Sequence, residues 1–296
     1  MLSTQAKLTL NNGVELPALG FGVFQTPPDV TQAATEEAIR VGYRRIDTAA
    51  SYLNEREVGA AIAASGVDRS ELFVQTKLWV SDYGYEGALH GFEVSARKLG
   101  LDTIDLYLLH QPLPQHFDST VDAYRAAERL LAEGRVRAIG VSNFSAAHLE
   151  AFLPRVTVVP AVNQVEVHPY YNQPALRAVH ERLGILTQGW SPLGGVYVYR
   201  PGEATKNALE DATIAALAEK YGKSPAQVIL RWHLDSGRSA VPKSVRPERI
   251  VENLSVFDFE LTPGEVASID ALDTGVRGGP SQDEIDFLSW NRTIPE

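Results

Sequence analysis

The order of elements along this 296-residue chain predicts an α/β fold, a closed (β/α)8 barrel of the TIM type. Eight short β-type runs alternate with segments of helical periodicity. Most of the runs are continuously apolar, as expected for strands buried on both faces. The rival is an open doubly wound sheet, which usually has a G-x-G-x-x-G turn. Gly20 and Gly22 lack the third glycine at the right offset, so the barrel is favoured.

The strand runs follow an N-terminal hairpin, which the turn Asn12-Gly13 predicts at about residues 7–17. In chain order the eight runs are ALGFGVF, RRIDTA, LFVQTKLW, IDLYLLH, VRAIGVSNF, AVNQVEVHP, GILTQGWSPL and SAVPKSV.

Capping residues predict where several helices begin and end. Thr26 is the expected N-cap of the first helix, and Gly42 its end. Gly100 is expected to end a later helix, and Ser224 with Pro225 to open another. The sequence Thr262-Pro-Gly-Glu is a capping box that predicts one more helix start.

Composition narrows the class of protein. The net charge of -10 argues against general nucleic-acid binding, and no apolar run reaches the length of a membrane span. The chain has no cysteine, which fits a reducing compartment, and the N-terminus does not read as a signal peptide. We expect one domain over residues 1–296, a cytoplasmic monomer that acts on a small molecule.

Polar side chains gather where the predicted strands end. In (β/α)8 barrels the C-terminal strand ends build the active site. Lys77 lies in an apolar run, and a buried lysine requires a partner or loses its proton. Asp47, expected at the same level on the neighbouring strand, is the natural partner. A purely structural ion pair remains an open alternative for these two residues alone.

Tyr52 and His110 favour chemistry over structure. A phenol with a pKa of about 10 is a poor acid at neutral pH. An ammonium ~4 Å away is worth up to ~4 kcal/mol at an effective dielectric of ~20, which lowers the phenol pKa by as much as ~3. Tyr52 would then donate a proton to a substrate oxygen, with His110 as a hydrogen-bond donor at the same rim. Because neither residue carries hydride, a redox cofactor is required.

A local basic cluster suggests where such a cofactor is anchored. Lys243, Ser244, Arg246 and Arg249 surround a predicted strand-to-helix junction in an otherwise acidic chain. Amides at a helix start, together with Lys and Arg, suit a phosphate. A solvated, mildly basic loop is the alternative.

The chain resembles the aldo-keto reductases, in particular their bacterial 2,5-diketo-D-gluconate reductase-like branch. The resemblance rests on GYRRIDTAASYLNEREVG, LFVQTKLW, IDLYLLHQP, RAIGVSNF, NQVEVHPY, GWSPLG and VPKSVRPERIVEN. It implies NADPH-dependent reduction of aldehydes or ketones to alcohols, with the hairpin at the barrel bottom and a tail from about residue 274 to 296 over the mouth. The implied catalytic tetrad is Asp47, Tyr52, Lys77 and His110.

The same resemblance implies a set of cofactor contacts. Lys243, Ser244 and Arg249 would hold the 2′-phosphate of NADPH. Ser142, Asn143, Gln164 and Trp190 would contact the nicotinamide. The other implied cofactor residues are Ser191, Leu193 and Gly194 along the pyrophosphate, and Val245, Glu252 and Asn253. The expected walls of the substrate pocket are Phe24, Trp79, His110 and Trp290. The segment 194–211 departs from the common family form.

Other interpretations stay open from the sequence. Glu166 and His168 alternate along a strand and invite a metal site, but a third ligand is missing and a structural hydrogen bond is favoured, so no metal is expected. Lys77 could serve as a Schiff-base lysine in an aldolase, although Asp47 opposes the low lysine pKa that this requires. An NADPH-binding regulatory or sensing barrel without turnover is the third possibility.

Overall fold

The protein forms the predicted barrel in a computed structural model, which describes residues 6–194, 207–287 and 292–296. The described residues contain one parallel sheet of eight strands, which neighbour one another in chain order. A bridge between Leu19 and Ala240 and a bond from Gly20 N to Ala240 O (2.9 Å) join its two edges, so the barrel closes. The strands are β3 (Phe21–Gly22), β4 (Arg45–Asp47), β5 (Phe73–Leu78), β6 (Ile104–Leu109), β7 (Val136–Ser142), β8 (Val162–Glu166), β9 (Leu186–Trp190) and β10 (Ser239–Ala240).

Helices follow the strands around the outside of the barrel. In the described ranges they are α1 (Pro28–Val41), α2 (Glu55–Ala64), α3 (Tyr85–Leu99), α4 (Phe117–Ala132), α5 (Ala146–Phe152), α6 (Pro174–Leu183), α7 (Ala212–Tyr221), α8 (Pro225–Asp235), α9 (Pro247–Leu254) and α10 (Pro263–Asp270). None of these helices combines the length and the apolar character required to cross a membrane.

The helix boundaries follow the capping residues with one exception. Gly42 and Gly100 end α1 and α3 in left-handed conformations, at φ 117° and 67°. Ser224 and Thr262 open α8 and α10 with capping boxes. The prediction of Thr26 as N-cap of α1 is wrong. The helix begins at Pro28, one residue later than that prediction requires, and Pro27 is its N-cap. Two prolines follow Thr26, and the Thr26 carbonyl accepts a hydrogen bond from the Thr31 hydroxyl (3.1 Å).

The predicted hairpin consists of β1 (Lys7–Thr9) and β2 (Glu15–Pro17). Its buried Leu10 and Leu16 pack on the apolar side chains that fill the N-terminal end of the barrel. These are Phe73, Leu106, Leu108, Ala138, Ala161 and Val162. The hairpin therefore seals the bottom, as the resemblance implied.

A buried arginine spans the line where the barrel closes. Arg45 on β4 donates to Ser239 Oγ (2.6 Å) and to Ala240 O (2.9 Å) on β10. A Cβ at Gly20 would lie 2.3 Å from the Arg45 Nε, so only glycine leaves room for the guanidinium. Burial lowers the pKa of Arg45 to about 9. Arg45 thus connects the second and the last strands of the barrel below the rim.

The C-terminal segment lies across the mouth of the barrel. Gly278 and Gly279 donate their backbone N–H groups to Glu166 at the end of β8. Ile285 is buried in a cluster that includes Trp79. Beyond the next undescribed residues, Arg292 donates to Ser51 O (2.7 Å). The described parts of the segment thus pass from β8 towards the loop after β4.

Candidate active site at the barrel rim

The inward face of β5 changes from apolar to polar towards the rim. Phe73 belongs to the bottom cluster, Gln75 lies in the middle, and Lys77 lies near the top, because alternate residues of a strand share a face. The register sets Asp47 beside Gln75 and not beside Lys77. The expectation that Asp47 and Lys77 stand at the same level is therefore corrected. The long lysine side chain bridges the offset.

Lys77 is the centre of the site. Its buried Nζ donates to Asp47 Oδ1 (2.7 Å), to Thr48 O (2.8 Å) and to the Tyr52 hydroxyl (3.3 Å). An ammonium has three donors, and these contacts supply three acceptors. Burial lowers the pKa of Lys77, and the Asp47 carboxylate opposes that effect. The arrangement joins a partly buried phenol to a fully buried cation.

His110 meets the Tyr52 ring edge-on, with the two ring centroids 5.7 Å apart. Burial, with the Lys77 charge as the smaller cause, holds the pKa of His110 well below 6.5. The imidazole is therefore neutral near pH 7. Ser51 Oγ lies 3.3 Å from its Nδ1, so a hydroxyl is available to donate to that nitrogen. Nε2 would then carry the proton, and the ring would be a neutral hydrogen-bond donor.

A chain of amides supports Asp47 from inside the barrel. Gln164 donates from Nε2 to Asp47 Oδ1 (3.2 Å) and to Gln188 Oε1. Gln188 in turn donates to Gln75 Oε1 (3.2 Å) and accepts from Gln75 Nε2 (2.7 Å). Because a carboxylate only accepts, the nitrogen of Gln164 faces Asp47, and its oxygen faces away.

The predictions from sequence missed Gln75 and Gln188. Alternate residues of a strand lie on the same face. Gln75, two residues before Lys77, and Gln188, two residues before Trp190, could therefore have been predicted on the same strand faces as those residues.

The four residues expected at the nicotinamide lie together on β7, β8 and β9. Ser142 Oγ donates to Gln164 O (2.8 Å). Asn143 Nδ2 donates to His110 O (3.0 Å) and to Ser142 Oγ (3.2 Å). Trp190 Nε1 donates to Asn143 Oδ1 (3.0 Å). The structure therefore brings this group next to the tetrad.

The loop after β9 has an unusual backbone. Ser191 adopts φ 45° and Gly194 φ 78°, and Gly194 N donates to Ser191 O (2.9 Å). A left-handed conformation is uncommon outside glycine, and such residues gather at functional sites. Leu193, the third residue expected at the cofactor here, packs on the main core. Most of the segment 194–211 that was expected to depart from the family form lies outside the described residues.

Three exposed cations lie at the junction of β10 and α9, Lys243 and Arg246 on the loop and Arg249 in the first turn of the helix. The ion pairs found among the described residues do not include any of them. In a chain with a net charge of -10, three cations at this junction that pair with no carboxylate of the described residues suit a phosphate-bearing ligand.

The remaining predicted residues of that region differ in exposure. Ser244 is buried and its Oγ accepts from Arg246 N (3.1 Å), and Val245 is 43% exposed. Glu252 accepts a short hydrogen bond from the Ser224 hydroxyl, so its carboxylate is already engaged. Asn253, one turn after Arg249 on α9, is buried.

Two aromatic side chains border the space in front of Tyr52. Phe24 is 38% exposed with its ring centroid 5.0 Å from that of Tyr52. Trp79 meets the His110 ring edge-on at 5.0 Å. Ile285, which the predictions missed, packs beside Trp79 from the C-terminal segment. Trp290, the fourth predicted wall, lies outside the described residues.

Glu166 and His168 contact each other at 3.0 Å, Oε1 to Nε2. Within the part of the chain that the structure describes, no group of three or more His, Cys, Asp or Glu residues surrounds a metal-sized space.

The rim of this closed barrel thus combines a buried Lys–Asp pair, a phenol and a neutral imidazole. Comparison with known proteins identifies the family to which such a barrel belongs. Residues 18–274 match the model of the aldo/keto reductase family. The chain therefore belongs to that family.

Individual relatives match the chain over almost its full length. It is 50% identical to morphine 6-dehydrogenase of Pseudomonas putida, with 96% of each chain covered. It is 45% identical to glyoxal reductase of Bacillus subtilis, over 96% of this chain and 99% of that one. The structure of the Bombyx mori aldo-keto reductase in complex with NADP has a TM-score of 0.86 and 36% identity, over 97% of this chain and 96% of that chain. The predictions of family and of barrel fold are confirmed.

Proposed function

We propose that this protein reduces aldehydes or ketones to alcohols with NADPH, and that Tyr52 is the general acid. The observation that carries the proposal is the Lys77 ammonium, which donates to the Tyr52 hydroxyl within a buried site beside the neutral His110. The phenol oxygen accepts from Lys77, so its own proton is directed to another oxygen. A cation at this position stabilises the phenolate that forms when that proton leaves.

His110 would orient the substrate. As a neutral imidazole with a hydroxyl at Nδ1, it donates from Nε2 to the carbonyl oxygen. A hydrogen bond to the oxygen on which negative charge develops is stronger in the transition state than in the ground state, and this difference lowers the barrier. Tyr52 then protonates the same oxygen.

The residues at the rim fit a nicotinamide cofactor, which when bound supplies the hydride that completes the reduction. Gln164 uses both N–H donors on Asp47 and Gln188, so its oxygen is the atom that remains for the carboxamide. Ser142, Asn143 and Trp190 complete that end of the site.

The opposite end of the cofactor would lie on the β10–α9 loop. Lys243, Ser244 and Arg249 would bind the 2′-phosphate, and Val245, Glu252 and Asn253 would contact the adenosine. These cations, which pair with no carboxylate among the described residues, support NADPH over NADH, because the two cofactors differ by that phosphate. Ser191, Leu193 and Gly194 would follow the pyrophosphate.

The proposed substrates are small carbonyls, such as dicarbonyls and keto-sugar acids. The name of the Bacillus subtilis relative, a glyoxal reductase, supports the dicarbonyl class. Phe24, Trp79 and Ile285 would line an apolar entrance to Tyr52. We further propose that residues 1–296 act as one domain and as a cytoplasmic monomer, without nucleic-acid partners, in keeping with the acidic charge.

The decisive experiment compares Tyr52→Phe with the unmodified enzyme. NADPH oxidation at 340 nm is followed against aldehydes, α-dicarbonyls and keto-sugars, with NADH in parallel. We expect turnover by the unmodified enzyme and a loss of about 10²–10⁴-fold in the variant, the usual contribution of a general acid. The affinity for NADPH should stay nearly unchanged. Full activity of Tyr52→Phe would refute the mechanism. Cofactor binding without turnover by the unmodified protein would favour a sensing role.

A further inference from the structure

Glu166 is a buried carboxylate that the proposed reaction does not use. It lies at the end of β8 and is 0% exposed. Its two oxygens accept from Gly278 N (2.7 Å), Gly279 N (2.8 Å) and His168 Nε2 (3.0 Å). Arg277 Nε lies 3.9 Å from Oε2. One side chain of the barrel therefore holds three consecutive residues of the C-terminal segment, Arg277, Gly278 and Gly279, which we call the clasp.

The contacts around Glu166 suit an ionised carboxylate. Burial alone would raise the pKa of Glu166, but the donors from His168 and Gly279 and the Arg277 charge keep it below its ordinary value. A buried charge that is hydrogen-bonded on both oxygens holds its partners in fixed positions, since moving them leaves the charge unpaired.

The clasp packs directly on Trp190. A Cβ at Gly279 would lie 2.5 Å from Trp190 Cη2 and 2.9 Å from Glu166 Oε2. Both distances are shorter than real contacts of this kind allow, so this position accepts only glycine while the indole keeps its place. The backbone of the clasp thus forms a support behind the indole ring.

Arg277 extends the clasp to Asn143. Its Nε donates to Pro280 O (2.8 Å), and its Nη2 lies 3.4 Å from Asn143 Oδ1. The guanidinium carbon lies 5.5 Å from the centroid of the Trp190 ring, and Trp190 itself donates to the same Asn143 oxygen. The clasp therefore contacts two of the four residues placed at the nicotinamide.

We propose that Glu166 and the clasp form a positioning device that sets the Trp190 ring and the Asn143 amide for the nicotinamide of the cofactor. This inference rests on the proposed NADPH-dependent function. A merely structural role for Glu166 makes a different prediction, namely a loss of stability with no change in the affinity for cofactor.

The test uses two glycines with matched substitutions. Gly279→Ala places a methyl against Trp190, whereas Gly264→Ala on α10 meets nothing within 4 Å. The dissociation constant for NADPH is measured by fluorescence titration of the full chain, and the thermal midpoint is recorded beside it. We expect Gly279→Ala to weaken NADPH binding at least tenfold, and Gly264→Ala to leave it unchanged.

Arg277 provides a second test that does not depend on how Gly279→Ala folds. Arg277→Ala should raise both the dissociation constant and the KM for NADPH, with a smaller effect on kcat at saturating cofactor. Arg277→Lys, which keeps the charge near Glu166, should recover part of the affinity. If Gly279→Ala and Arg277→Ala both bind NADPH as the unmodified chain does, the positioning role is wrong. If the unmodified chain itself does not bind NADPH, the proposed function fails instead.

Discussion

At its N-terminal end the barrel is filled by Leu10 and Leu16 of the hairpin and the apolar side chains beneath them. At its C-terminal end the same strands carry Asp47, Lys77 and His110, all of them buried. Apolar burial stabilises the bottom without any geometric demand beyond volume and shape. Buried charges at the rim are stable only while their partners stay in place. The bottom therefore stabilises the fold, whereas the rim holds buried charges at an energetic cost that the proposed reaction would explain.

The largest expected effect comes from breaking the charge pair at the rim. Lys77→Met leaves the Asp47 carboxylate buried with Gln164 but without its cation. Removing one partner of a buried pair costs about 3–5 kcal/mol, which urea unfolding measures. Turnover should be lost as well, because Tyr52 loses its charged neighbour.

The double variant Asp47→Leu with Lys77→Met sharpens this result. Replacing both charges with apolar groups is often neutral for stability. We therefore expect the double variant to regain most of the lost free energy of unfolding while turnover stays absent. If turnover returned together with stability, the pair would be structural.

A substitution at the bottom should have the opposite profile. Leu16→Ala empties part of the fully buried cluster under the barrel. Such a change costs about 2–5 kcal/mol of unfolding free energy. The kcat/KM of the folded enzyme should remain that of the unmodified chain. Lys7→Ala, on an exposed position of the same hairpin, serves as the control and should change stability by less than about 0.5 kcal/mol. A loss of kcat/KM in Leu16→Ala would show that the two ends are coupled.

The smallest expected effect is a pH dependence on the rim side. His148 on α5 accepts from Ser145 N at Nδ1 (3.2 Å), and its Nε2 lies 3.1 Å from Asp283 of the C-terminal segment. Burial lowers the pKa of His148, with Asp283 as the opposing cause. The unfolded chain therefore binds more protons below about pH 6.5, so this contribution to stability is complete above that pH and declines as the pH falls through the folded pKa.

The variant His148→Gln isolates this contribution. Unfolding free energies of both proteins are measured at pH 7 and pH 5. The unmodified chain should lose more stability over this interval than the variant. An equal loss in both proteins would assign the pH dependence to other groups.

Much of the molecule could be predicted from residue types and spacing. Short β-type runs, most of them continuously apolar, locate all eight barrel strands, because burial on both faces leaves a direct trace in the sequence. The residues of the tetrad follow from their places at the ends of those strands, which a closed barrel brings to one rim.

Contacts between residues that are distant in the chain could not be predicted from the sequence in this way. The offset register of Asp47 and Lys77, the amide chain through Gln75 and Gln188, and the approach of Gly279 to Trp190 each join residues from different strands or from the C-terminal segment. Local sequence determines which residues form a strand and which end reaches the rim. Only the closed barrel decides which side chains then bind the same carboxylate or pack on the same ring. The distances between these side chains depend on the shear and packing of the whole sheet.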